Sequence, residues 1–385
     1  MDTLSRSTSL TRLGRPHAGW ANTPIVKGST YIFDSIGQWR DARTRREQER
    51  VLSYGARGNE TCFALEDAVT ALEGAYRSKL FPTGLAAIAA TMLGCLKAGD
   101  HVLISEGVYD PVRRLFSTLL SNYGITHSFF RIGDPAWVDA LQTQTHMVYA
   151  ESPASLLYDM LDLPAIAKVC RQHDILLCAD NTWGSSLNYR PLALGCDLSI
   201  IAATKYLGGH SDVMMGVVSA NERTFGAIEQ ASITLGQTVA AEDAFLVLRG
   251  MRTLELRMAR HAASALDIAS WLATHRTVRR VFHPALPGDP GHDLWRRDAQ
   301  GSNGLLTVEF DPSVPADAVE RAVDGLSLFG IGASWGGFES LALPVDPART
   351  RLAQEACGYL LRLHIGLEDP DDLKKDLARL LAALG

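Results

Sequence analysis

Asp197-Leu-Ser-Ile-Ile-Ala-Ala-Thr-Lys205-Tyr-Leu-Gly-Gly-His-Ser211 is the stretch that decides how this chain folds. An apolar, β-branched run ends on a lysine set among small residues and followed by a glycine pair. Such a run reads as a buried strand, and the glycines as a tight turn. A lysine at a strand end ordinarily snorkels its ammonium to water. Burying it is costly unless it is neutralised or paired, and an imine to an aldehyde is one way to neutralise it. Upstream, Leu176-Leu-Cys-Ala-Asp180-Asn-Thr-Trp183 is a second apolar strand that delivers a carboxylate at its end. A lysine for an aldehyde and an acid for a pyridinium nitrogen, on successive strand tips, are what pyridoxal phosphate (PLP) requires of a protein.

Short apolar runs at 101–105, 128–132 and 147–151 alternate with helical patterns at 85–96, 111–122 and 163–173. This alternation predicts an α/β fold with a mostly parallel sheet covered on both faces. Functional residues should then gather at strand ends, as Asp180 and Lys205 do. A long helical stretch at 242–275 leads into a smaller C-terminal α/β unit with strands at 304–310 and 361–366. Its last helix should start at Asp369 as cap, with Pro370 in the first turn. The expected organisation is an N-terminal arm over 1–55, a large PLP-binding domain over 56–240 and a small domain over 241–385. Residues 1–55 carry only short apolar pieces and read as an extended arm that packs on something else.

The chain has 385 residues, 46% apolar and 21% charged, with a formal net charge of −6. That balance, without a dense basic stripe, argues against nucleic acid as a partner. The mixed-charge run from Arg40 to Arg50 reads as a solvated helix face. Six scattered cysteines (62, 95, 170, 178, 196 and 357) form no C-x-x-C pair and read as reduced, structural thiols. The eleven histidines form no metal-binding spacing, so no metal is expected. No apolar run is long enough to span a membrane, and the N-terminus lacks a signal-peptide core, which together predict a cytoplasmic protein.

Pro82-Thr-Gly84-Leu85 opens a helix directly after a strand, an arrangement that cradles anions. Thr204 could add a hydroxyl to the same phosphate. Tyr109, in a loop after the 101–105 strand, could stack on the pyridine ring. Such a ring, held protonated by Asp180, would favour carbanion chemistry at Cα of amino acids.

With Tyr54-Gly-Ala-Arg57-Gly58, Thr83-Gly-Leu-Ala-Ala, Val108-Tyr-Asp-Pro, Ala179-Asp-Asn-Thr-Trp183, Ser334-Trp335-Gly-Gly-Phe-Glu-Ser340 and Leu361-Arg362-Leu-His-Ile-Gly-Leu-Glu-Asp369, the chain resembles the Cys/Met-metabolism family of PLP enzymes over nearly its whole length. Within that family it looks like the β-lyases of bacteria. The resemblance implies a fold-type I, aminotransferase-like architecture and a homotetramer of two catalytic dimers. Lys205 is then the Schiff-base lysine and proton shuttle. Asp180 pairs with the pyridinium, Tyr109 stacks on it, and Gly84, Leu85 and Thr204 hold the phosphate. Tyr54 would cross to a neighbour's phosphate, and Ser334, Trp335 and Arg362 would contact the substrate. Many relatives carry arginine two residues after that tyrosine. Here the position is Ala56, and Arg57 is the nearest arginine. Ala333 stands where some β-lyases have tyrosine.

The implied reaction is β-elimination on L-cystathionine, giving homocysteine, pyruvate and ammonia on the way to methionine. The nearest alternative is a γ-type relative, which also removes a proton at Cβ and usually has leucine where Trp335 stands. A PLP-binding regulator and an amino-acid racemase are further alternatives.

Overall fold

A computed structural model describes residues 5–16, 18–46, 48–347 and 358–385. Cys357 lies outside the described residues; the other five cysteines are free thiols. Seven strands form the large sheet: β1 (Arg77–Phe81), β2 (His101–Ser105), β3 (Thr126–Phe130), β4 (Thr145–Glu151), β5 (Leu176–Asp180), β6 (Leu198–Ala202) and β7 (Gly216–Ala220). Their spatial order is β1-β7-β6-β5-β4-β2-β3. All neighbours run parallel except β7, which is antiparallel to both β1 and β6.

Side chains alternate between two buried faces, as a doubly covered sheet demands. Ile104, Tyr149 and Cys178 enter one core, while Leu103, Val148 and Leu177 enter the opposite one. The helix Gly84–Cys95 covers the first face and the helix Leu163–Gln172 the second. The first begins against the end of β6: a Cβ on Gly84 would lie 2.8 Å from that of Ala202. Only glycine lets the helix start approach the strand tip this closely.

The second sheet has five strands: β8 (Val278–Phe282), β9 (Leu305–Phe310), β10 (Gly330–Ile331), β11 (Leu341–Pro344) and β12 (Leu360–His364), in the order β10-β11-β12-β9-β8. It packs on the helices Leu254–Leu272 and Pro370–Ala383. The last helix starts as expected, with Asp369 as its cap.

Several expectations need correction. Lys205 is not on a strand: β6 ends at Ala202, and the lysine sits in the following turn, its amide bonded to the Ala202 carbonyl. The stretch 111–122 divides into the helix Asp110–Arg114 and a wider-wound turn, Leu115–Leu120. The stretch 242–275 breaks into the helices Ala241–Met251 and Leu254–Leu272. At that break the Gly250 carbonyl accepts from the Thr253 amide and the Arg257 guanidinium.

The arm is not wholly extended, because it holds the helices Arg6–Arg12 and Ile36–Arg45. Ser35 caps the second through the Gln38 amide. Arg45 pairs along the solvent face with Asp41 and Glu49. Arg50 departs from that face and reaches Asp67 at 2.5 Å, close to buried Glu66. The arm also exposes Trp20 (82%), Ile32 (87%) and Ile36 (64%). Among the described residues no helix is long and apolar enough to cross a membrane.

Candidate active site

A cavity of about 520 Å³ opens at the carboxyl ends of β2, β4, β5 and β6 and is closed from the small domain by Trp335 and Arg362. Lys205, Asp180 and Tyr109 line it, as do Gly84, Leu85 and Thr204. Ser334 is not in the wall, yet its hydroxyl lies 2.6 Å from Lys205 Nζ and accepts a hydrogen bond from it. The ammonium also lies 5.3 Å from the centre of the Trp335 ring. Burial, together with the nearby Arg362 charge, lowers the Lys205 pKa from 10.5 to about 8, and Asp180 opposes the shift. The amine is therefore close to half neutral at mildly basic pH, which a general base requires.

Asp180 is held rather than merely present. Its Oδ1 accepts from the Thr182 amide at 2.9 Å and the Thr182 hydroxyl at 2.6 Å. The Tyr149 hydroxyl donates to Oδ2 at 3.4 Å. Burial pushes the carboxyl pKa up and the Thr182 bonds pull it back. Thr182 Oγ1 in turn accepts from the Ala202 amide at 2.9 Å, which ties the tip of β5 to that of β6. Sequence reasoning missed Thr182. An aspartate followed two residues on by threonine is an Asx-turn signal that could have revealed it.

Arg362 sits on β12 and donates from Nη2 to the Ser334 carbonyl at 3.1 Å. Ser334 has φ +85°, left-handed for a residue with a side chain and strained accordingly. The loop that holds it there rests on His364, two residues along β12 from Arg362. The His364 ring donates from Nδ1 to the Glu339 carbonyl at 3.0 Å and accepts at Nε2 from the Gly336 amide at 3.0 Å. Complete burial, helped by His261, lowers the His364 pKa to about 3, so the ring stays neutral. Gly336, at φ +89°, rides directly over the lysine turn: a Cβ there would meet Lys205 Cα at 3.0 Å and the Tyr206 amide at 2.8 Å. His364 was also missed, although Arg362 and His364 share one face by the two-residue strand period.

Tyr109 is half exposed; its amide donates to Glu151 at 2.6 Å, and burial with the Asp180 charge raises its phenol pKa. Thr204 turns its hydroxyl to Met215, donating to the carbonyl at 3.2 Å and accepting from the amide at 2.9 Å. Its one proton is thus engaged, and donation to a phosphate would require exchange of that bond. Trp335 packs on Tyr206, 5.4 Å between ring centres. Tyr54 and Arg57 are not brought to this cavity. Tyr54 borders a second one of about 630 Å³, and Arg57 donates to the Arg46 carbonyl at 3.3 Å.

The cavity residues fit PLP. The first helix amides at Gly84 and Leu85 could meet a phosphate, and a buried carboxylate could meet a pyridinium nitrogen. The lysine is neutral enough to meet an aldehyde, and a tyrosine ring is placed to cover the cofactor. The model of the Cys/Met metabolism PLP-dependent enzymes matches residues 8–382. The chain is 45% identical to a cystathionine beta-lyase of Bordetella avium, covering 94% of this chain and 91% of that one. It is 40% identical to a cystathionine beta-lyase of Escherichia coli K12, covering 96% of each. The crystal structure of cystathionine gamma-lyase from Lactobacillus plantarum complexed with L-serine superposes with a TM-score of 0.89 at 31% identity, covering 99% of both chains. By site chemistry, architecture and sequence alike, the chain belongs to the Cys/Met-metabolism family of PLP-dependent enzymes.

Proposed function

We propose that this chain cleaves the Cβ–S bond of L-cystathionine, consuming one water and yielding homocysteine, pyruvate and ammonia, as a step toward methionine. The observation that carries this reading is a partly buried lysine, its pKa lowered to about 8, hydrogen-bonded to Ser334 beside Arg362. A base there stands next to the fork that suits a substrate α-carboxylate. The names of the β-lyase relatives support the substrate, and Trp335, where γ-type members usually have leucine, supports β- over γ-cleavage.

PLP, when bound, supplies an aldehyde for the substrate amine and an electron sink for charge at Cα. Gly84 and Leu85 would hold its phosphate, joined by Thr204 if its hydroxyl exchanges the Met215 bond, while Asp180 would meet its ring nitrogen and Tyr109 would cover its ring. Arg362 fixes the substrate carboxylate while Ser334 orients Lys205. Lys205 Nζ takes the Cα proton and returns a proton to the departing sulfur. Trp335 shields that end of the cavity from water.

Incubating the purified, PLP-loaded protein with L-cystathionine and identifying the keto acid tests the reading. Pyruvate is expected, and 2-oxobutyrate would move the chain to the γ-type branch.

We also assign residues 1–55 as an intersubunit arm, 56–240 as the cofactor domain and 241–385 as the small domain of a homo-oligomer, at least a dimer. Exposed Trp20, Ile32 and Ile36 support an arm that packs on a second copy. In that assembly Tyr54 and Arg57 face the neighbour's phosphate, with Arg57 supplying the charge that Ala56 lacks. Arg57→Ala should weaken PLP retention by roughly 1.5–3 kcal/mol, one charge-assisted bond. Adding Ala56→Arg should restore part of it. Spectral titration at fixed protein concentration measures both, and an unchanged affinity in Arg57→Ala removes Arg57 from the site.

A further inference from the structure

Glu73 is buried, 1% exposed, at the carboxyl end of the helix Glu60–Glu73. The helix dipole disfavours a negative charge there, and burial disfavours any charge. Neither helix stability nor packing selects a carboxylate at such a position, but its bonds do. Oε1 accepts from the Ser199 hydroxyl on β6 at 2.6 Å, from the Ser186 hydroxyl at 2.6 Å and from the Asn181 side-chain amide at 3.3 Å. Oε2 has no partner among the described residues, so one oxygen carries the whole arrangement. Burial pushes the carboxyl pKa up, and the Ser186, Ser199 and Asn181 bonds with the Arg190 charge pull it back. The Cys196 thiol feels the same carboxyl, which helps to raise its pKa.

Each donor belongs to the framework around Asp180. Asn181 is its chain neighbour, and its side-chain amide also donates to the Tyr189 carbonyl at 2.8 Å. The Asn181 backbone amide donates to the Ile200 carbonyl on β6 at 2.7 Å. Ser199 pairs with Ala179 across the β5–β6 ladder. Ser186 lies in the loop that follows, left-handed at φ +58° next to Ser185 at +51°. Asp180 and Thr182 line the cavity, whereas Asn181 and Glu73 lie outside its wall. Thr182 thus grips the Asp180 carboxylate from the cavity side, while Glu73 grips the turn from behind. We infer that Glu73 is a positioning residue for the cofactor. Through Asn181 and β6 it fixes the turn 180–182, and with it the aim of the Asp180 carboxylate at the PLP ring nitrogen. The inference rests on the assignment of Asp180 to that nitrogen and deepens it.

The test reads bound PLP by its spectrum, apart from turnover. A protonated ring nitrogen repels the proton on the lysine nitrogen joined to the cofactor, so a well-aimed Asp180 lowers the pH at which the visible band fades. In Glu73→Ala that midpoint should rise by about one unit, a tenfold change in proton affinity, with a fall of about tenfold in PLP affinity by spectral titration. The kcat on L-cystathionine should fall about 10- to 100-fold while KM stays within about threefold, because Arg362 is untouched. Glu73→Gln keeps an acceptor in place of Oε1 and should recover part of each change. Should Glu73→Ala not fold, Glu73→Gln carries the midpoint test with a rise of about half a unit. A folded variant whose midpoint matches the wild type, whatever its melting temperature, overturns the role and leaves Glu73 a brace of the core. Asp180→Ala is the reference and should raise the midpoint further than Glu73→Ala. A wild-type midpoint in Asp180→Ala would instead remove Asp180 from the ring nitrogen, and this inference with it.

Discussion

Replacing Lys205 by alanine should lower turnover by at least about 10⁴-fold, because one substitution removes both a positioned base, worth about 10²–10⁴, and the amine that meets the cofactor aldehyde. PLP should still bind through its phosphate and ring contacts, so the variant stays coloured. Borohydride should fix the cofactor to the wild type and not to the variant. The wild-type pH profile belongs to the same prediction. Burial and Arg362 lower the Lys205 pKa to about 8, so the neutral amine predominates above that pH and the ammonium below it. A base must be neutral to act. The rate should therefore rise roughly tenfold per unit below pH 8 and level off above it, whereas an unperturbed lysine would delay the plateau to about 10.4. Steady-state pyruvate release measures both, and near-native activity in Lys205→Ala would exclude this lysine as the base.

Arg362→Leu should reduce kcat/KM by about 10²–10⁴-fold, mainly through KM, because two charge-assisted bonds of roughly 1.5–3 kcal/mol each are lost from the substrate carboxylate. Two further consequences separate this from a general loss of packing. Arg362 lowers the lysine pKa, so its removal should move the rising limb of the pH profile to higher pH. The Ser334 carbonyl also loses a donor, in a loop that already holds a left-handed serine. The cofactor spectrum should be retained. A variant that instead loses PLP would place Arg362 in the phosphate site.

The strands nearest the chemistry were legible because turn residues bound short apolar runs: β2 and β5 fall where the pattern puts them. Asp369-Pro370 marked the last helix for the same local reason. β8 was not seen, since Arg279 and Arg280 interrupt its apolar run and a register shift lies between Val278 and Arg280. β10 is only two residues long, too short for any periodicity. In the site, Lys205 and Asp180 stood out because charges in apolar runs demand explanation. Thr182 and His364 act through other groups, so their value appears only when the strand tips and the Ser334 loop are assembled. Tyr54 and Arg57 lie apart from the Lys205 cavity, the one at a second cavity and the other bonded to the Arg46 carbonyl, so the single chain does not join them to the site.

Gly336 is where the small sheet's loop comes closest to the lysine turn of the large one. Its lack of a side chain lets the Ser334–Gly336 loop settle on the backbone of Lys205 and Tyr206, with no slack for a methyl group. Arg362, proposed to clamp the substrate, and Lys205, proposed to take its Cα proton, come from different sheets' surroundings and are joined through Ser334, which bonds to both. The spacing between that loop and the lysine turn is thus set by the thickness of one residue.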